Sequence, residues 1–139
     1  MSEVRLTFLG TGTSFGVPQV GCGCTVCRST DPRERRTRTG ALVDVGGTTL
    51  LIDTPPELRL QLVAAGCGHV DAVLYTHHPF DHIGGFDDLR QFNFLQTQSM
   101  PLYGLQQTLD EVAVTFRYAF GHALQAGGGV PVVERRAID

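Results

Sequence analysis

Three histidines and one aspartate crowd the run Thr76-His77-His78-Pro79-Phe80-Asp81-His82. Imidazole nitrogens beside a carboxylate oxygen suit Zn²⁺, Mn²⁺ or Fe²⁺. The apolar segment Val70-Asp71-Ala72-Val73-Leu74-Tyr75 before them reads as a short buried strand, and Gly84-Gly85 follows. The ligand-type residues therefore sit on a loop at a strand end. A single histidine in such a place is usually structural, and a polar turn is the plainer alternative. Four ligand-type side chains in one short run favour metal.

A second cluster precedes it. Cys22, Cys24 and Cys27 form Cys-x-Cys-x-x-Cys, and only Cys67 lies elsewhere. Three thiolates so spaced wrap a tetrahedral Zn²⁺ that needs one more ligand. Three small buried residues or a redox pair is the alternative. Cys67, His69 and His122 are candidates for the fourth ligand, with no local spacing to choose among them. Cys67 follows the helix-ending Gly66 and reads as packing.

Two further features carry weaker signals. Gly10-Thr11-Gly12 resembles a phosphate loop, but Phe15 and Pro18 break a dinucleotide fingerprint, and no lysine exists for a Walker loop. It reads as a tight loop, or as backbone N–H groups lining a site. Arg28, Arg33, Arg35, Arg36 and Arg38 lie close together. They suit an anionic substrate or a solvated loop, and no interleaved aromatics suggest base stacking.

These clusters need elements to hold them. Strands are expected at Val4 to Leu9, Ala41 to Val45 and Thr48 to Ile52, the last two joined by a Gly46-Gly47 hairpin turn. Thr54-Pro55-Pro56-Glu57 predicts a helix start capped by Thr54, with a helix to about Ala65 and Gly66 as its stop. After the strand at Val73 to Tyr75 come the histidine loop and a short helix around Phe86 to Phe92. A brief strand is expected at Pro101 to Tyr103. Leu105, Leu109, Val112, Phe116 and Ala119 mark a helix stripe. Gly127-Gly128-Gly129 breaks the chain, and a strand begins between Val130 and Val133. Strands first, then alternating strands and helices, predict an α/β arrangement with ligands beyond the strand ends.

With 139 residues, 42% of them hydrophobic, the chain is long enough for one core. A net charge of −3 argues against a nucleic-acid binder, and no apolar run is long enough to span a bilayer. The N-terminus lacks the layout of a signal peptide, so a cytoplasmic location is expected. Cysteines there serve as metal ligands or free thiols more often than as disulfides.

Several segments together resemble the phosphoribosyl cyclic phosphate phosphodiesterase-like branch of the metallo-β-lactamase-fold hydrolases. They are Leu9-Gly10-Thr11-Gly12-Thr13-Ser14, the cysteine run from Gly21 to Cys27, Leu51-Ile52-Asp53-Thr54, Tyr75-Thr76-His77 with Asp81-His82, and Gly85-Phe86-Asp87-Asp88-Leu89-Arg90. His77, Asp81 and His82 fill three positions of the His-x-His-x-Asp-His signature, and Pro79 stands where the second histidine belongs. The resemblance implies His77 as ligand of a first active-site metal, and Asp81 and His82 as ligands of a second, with Asp81 also acting in catalysis. It implies Asp53 as a buttress behind these ligands, and a structural zinc on Cys22, Cys24 and Cys27 completed by a histidine near the C-terminus. The active-site ions would be Zn²⁺ or Mn²⁺, and no organic cofactor is implied.

The implied fold is a four-layer αββα sandwich of two similar halves, and residues 1–139 match its N-terminal half, a mixed sheet with helices on its outer face. The implied function is hydrolysis of a small, cyclic or open phosphodiester by a metal-held hydroxide, weak or absent in this chain alone. The alternative is a degenerate, non-catalytic zinc-binding or interaction domain. An apolar sheet face around Leu42, Val43, Leu50, Ile52 and Leu74 should lie bare. A homodimer or a complementary C-terminal half would cover it; neither a membrane nor nucleic acid is expected as a partner.

Overall fold

A computed structural model describes residues 3–120 and 129–138 of the chain. Six strands form one sheet in chain order: β1 (Val4–Gly10), β2 (Gly40–Val45), β3 (Thr48–Ile52), β4 (Ala72–Leu74), β5 (Met100–Gly104) and β6 (Val133–Ala137). The first three pair antiparallel and the rest parallel. Gly46 and Gly47 turn between β2 and β3 with φ of 55° and 90°, the left-handed geometry a two-residue hairpin requires. Parallel pairing needs crossovers. These are α1 (Leu58–Ala64), α2 (Phe80–Ile83) with α3 (Arg90–Gln96), and α4 (Gln106–Thr115). Among the described residues, no helix is long and apolar enough to cross a membrane.

The helices pack on one face of the sheet. Leu42, Leu51, Val73 and Leu102 point into that layer at 5%, 0%, 0% and 0% exposure, against Leu58, Leu62, Phe86, Leu89 and Leu109. Burying each such side chain is worth about 1.5–3 kcal/mol, so Leu51→Ala in this layer should cost about 2–5 kcal/mol. The opposite face is also apolar. The register aligns Leu6 with Val43, Val43 with Leu50, and Ile52 with Leu74. Val4, Leu6 and Phe8 on this face are 63%, 53% and 67% exposed. Leu42 was expected here but faces the helices. Strand β2 is apolar at both Leu42 and Val43, so alternation alone could not assign a side.

Two local expectations need correction. Thr54 does not cap α1: the helix begins at Leu58 with Glu57 at its N-cap and no side-chain cap bond. Thr54 is fully buried and bonds elsewhere. Leu105 is 56% exposed at the N-cap of α4, outside the buried stripe of Leu109 and Val112. The last strand starts at Val133 and runs through Glu134-Arg135-Arg136; a charged edge strand is a known guard against edge pairing. The stop of α1 follows expectation. Gly66 takes φ of 64°, with Gly66 N–H donating to Val63 O and Cys67 N–H to Leu62 O, a Schellman closure.

Candidate metal centre

Strands β1, β3 and β4 run the same way, so Gly10, Asp53 and Thr76 follow their ends along one edge of the sheet. At Asp53 the backbone turns left-handed, with φ of 60°. Aspartate is among the few residues that tolerate this. Its N–H still donates to Leu74 O at 3.0 Å. The turn aims a carboxylate, 2% exposed as a residue, at the neighbouring loop.

That carboxylate organises the histidines. It accepts the Thr76 N–H at 2.8 Å on Oδ1, and the Thr76 hydroxyl at 2.7 Å and His82 Nδ1–H at 2.8 Å on Oδ2. The single hydroxyl proton of Thr76 is spent on Asp53. Thr76 Oγ1 can therefore only accept from His77 Nδ1, 2.9 Å away. Both imidazoles then carry their proton on Nδ1 and offer the Nε2 lone pair. Their ring centroids lie 3.9 Å apart. Nε2 of His82 faces Oδ2 of Asp81 at 3.3 Å. Two acceptors at that distance need a proton or a cation between them.

Ligand atoms of Asp53, His77 and His82 lie within 4.8 Å of one another. Asp53 could thus be counted as a ligand. Its two oxygens already take three hydrogen bonds from the chain, which suits a group that orients ligands from behind. Asp81 and His82 ride on the single turn of α2, with Pro79 at its N-cap. His82 N–H donates to Pro79 O at 2.8 Å. The proline ring offers no donor atom to a metal. His78 is exposed and is not drawn into the group. Among the described residues the ligand atoms that converge are those of Asp53, His77 and His82; Asp81 is not in that trio and approaches it at His82 Nε2. The nitrogen and oxygen donors there suit a divalent cation.

The cysteines also come together. Sulfurs of Cys22, Cys24 and Cys27 lie within 4.8 Å of one another, and all are free thiols. Gln19 N–H donates to Cys27 Sγ, and Cys27 N–H to Cys24 Sγ, each at 3.4 Å. The second of these bonds, followed by the neighbouring thiols of Cys22 and Cys27, holds the Cys24 thiol below its ordinary pKa. Of the fourth-ligand candidates, His122 lies outside the described residues. Cys67 donates to His69 O, and His69 pairs with Asp71 at 3.0 Å. Asp71 stands at the start of β4, the far edge of the sheet from the histidine loop.

The arginines are mostly engaged within their own loop. Arg33 pairs with Asp31, Arg36 donates to Thr11 Oγ1 at 2.8 Å, and Arg38 binds Ser14 O and Glu57. A side chain at Gly10 or Gly12 would meet the carbonyls of Arg38 or Arg36 at 2.0 or 2.6 Å. Close backbone passage therefore accounts for these glycines. Sequence reasoning missed Thr54, Tyr75 and Thr76 as parts of the site. Their signal was hydroxyl residues within otherwise apolar strand ends.

A beta-lactamase superfamily domain model matches residues 48–138. The octanoyltransferase of Porphyromonas gingivalis is 45% identical over 118 residues, 84% of this chain and 24% of that protein. A solved diphosphatase from the PhnP family superposes with a TM-score of 0.85 at 36% identity, covering 99% of this chain and 51% of its own. Zn²⁺-bound PqqB from Methylobacterium extorquens superposes at 0.76 with 26% identity, covering 99% and 50%. The chain thus spans about a quarter of that curated relative and about half of each solved structure. The six-stranded mixed sheet with its helices matches the metallo-β-lactamase fold over that half.

Proposed function

Because this chain belongs to the beta-lactamase superfamily domain family, we propose that it serves a metal-dependent hydrolase acting on phosphodiesters, cyclic ones included. The observation that carries this reading is the convergence of ligand atoms of Asp53, His77 and His82 within 4.8 Å, with the Asp81 carboxylate 3.3 Å from His82 Nε2. Likeness to a PhnP-family diphosphatase supports a phosphoryl substrate. Octanoyl transfer is not carried over, since the matched stretch is 24% of that protein.

A divalent cation held there would supply Lewis acidity and a water acidified towards a pKa of ~7. The chain's own residues prepare the place. Asp53 accepts a hydrogen bond from His82 Nδ1–H, and Thr76 Oγ1 accepts one from His77 Nδ1–H, so both rings turn Nε2 outward. Tyr75 and Ile83, each 2% exposed, flank the histidine loop in sequence and are both bonded to Thr54. Zinc or manganese suits this nitrogen and oxygen set. Two-metal hydrolysis uses a pair of ions ~3.5–4 Å apart, and His77, Asp81 and His82 are only part of the ligands for such a pair. Hydrolysis by this chain alone is therefore weak or absent. A second reading, a non-catalytic metal-binding domain, is favoured by Pro79 alone.

The test is release of p-nitrophenol from bis(p-nitrophenyl) phosphate and opening of a 2′,3′-cyclic nucleotide, with a β-lactam as comparison. Weak, metal-dependent turnover confined to phosphodiesters and lost in His82→Ala is the expected result. Metal-independent turnover, or preference for the lactam, would contradict the reading. Robust turnover would show that the chain completes its own site.

A further inference from the structure

Behind the histidine loop lies a second hydrogen-bonded layer. Thr54, directly after Asp53, is fully buried. Its N–H donates to His82 O at 2.8 Å, and its carbonyl accepts from Gly85 N–H at 2.8 Å. Its hydroxyl donates to Ile83 O at 3.2 Å. That spends its only proton, so it must accept from the Tyr75 hydroxyl at 3.0 Å. The relay runs Tyr75 Oη–H to Thr54 Oγ1–H to Ile83 O. One residue thus fastens the turn from His82 to Gly85 at three points, and Tyr75 locks the rotamer of the third.

We propose that Tyr75 is a positioning residue of the metal centre: through Thr54 it holds the His82 turn where Asp53 can fix the imidazole as its Nδ1–H tautomer. The core does not need this hydroxyl for volume, since a phenylalanine would fill the same space. Tyr75 sits on the extension of β4, its N–H donating to Tyr103 O at 2.8 Å. Its backbone is therefore fixed by the sheet while its tip reaches the loop. Tyr75 is 2% exposed, and its hydroxyl meets Thr54 Oγ1 at 3.0 Å. Loss of the Thr54 hydroxyl frees Ile83 O, and loss of the Tyr75 hydroxyl frees the Thr54 rotamer that holds it; either lets α2 shift. The bond from Asp53 to His82 is then the contact that loosens.

The proposal rests on the metal reading of His82, and its test separates the two. Tyr75→Phe and Thr54→Val each remove one hydroxyl at nearly constant volume, and Thr54→Ser restores the hydroxyl. Two quantities are read: the tautomer of His82 in metal-free protein by long-range ¹⁵N NMR, and the affinity for Zn²⁺ that is lost in His82→Ala, by calorimetry. Tyr75→Phe and Thr54→Val should show mixed tautomers and zinc binding about tenfold weaker, the lower end for groups that orient metal ligands. Thr54→Ser should stay close to wild type in both. Wild-type tautomer and affinity in Tyr75→Phe and Thr54→Val would overturn the proposal. So would a Thr54→Ser variant as impaired as Thr54→Val, which would assign the effect to packing of the methyl group. A tautomer shift in protein that binds no His82-dependent zinc would sink the hydrolase reading and leave the relay standing.

Discussion

Nε2 of His82 and Oδ2 of Asp81 face each other at 3.3 Å while Nδ1 of His82 is already bonded to Asp53. An imidazole held between two carboxylates in this way has one nitrogen assigned and the other available. The same turn of α2 carries Asp81 and His82, and Asp53 fixes the orientation of the His82 ring. Asp53 reaches them from the end of β3 because its own backbone bends left-handed.

The cysteine cluster should bind one zinc per chain, and Cys24→Ser should lower the zinc content and destabilise the loop after β1. Thiolate binding contributes folding free energy directly. The sulfurs of Cys22, Cys24 and Cys27 already converge. Elemental analysis and thermal melting check this, and unchanged zinc stoichiometry in the variant would count against it.

Pro79→His should strengthen metal binding at the histidine loop. Pro79 is exposed at the N-cap of α2, with φ of −57° and ψ of 151°, an extended conformation open to other residues. An imidazole there adds the donor that the proline lacks. An unchanged calorimetric titration would mean that the loop is not shaped to use it.

The chain should associate through its open sheet face. Val4, Leu6 and Phe8 are each more than half exposed on that face, and contiguous apolar patches beyond a few hundred Å² are uncommon on soluble monomers. Phe8→Glu should shift sedimentation towards the monomer. A clean monomer at high concentration for the unaltered chain would refute this.

Much of this architecture was legible because period-two alternation and glycine turns report local geometry directly. The hairpin at Gly46-Gly47 and the histidine run after β4 are examples. What stayed hidden depended on partners distant in sequence. Thr54-Pro55-Pro56-Glu57 carries a helix-capping pattern, yet Thr54 finds Tyr75 and Ile83 instead, since tertiary bonds outweigh a cap worth about 1 kcal/mol. Leu42 and Val43 are both apolar, and only the helix layer decides which is covered. Leu105 fits the stripe of α4 in spacing but falls at its N-cap, before the helix takes its buried face. Asp53 was expected behind the ligands from the resemblance, whereas the part of Thr76 follows from proton counting across the loop, which no spacing rule contains.

We propose that His77, Asp81 and His82 hold a divalent cation. A calorimetric zinc titration of the wild-type chain beside His82→Ala tests it most directly. Two binding events are expected in the wild type: a tight one that depends on the cysteines and a weaker one that disappears in His82→Ala. Superimposable titrations of the two proteins would contradict the account.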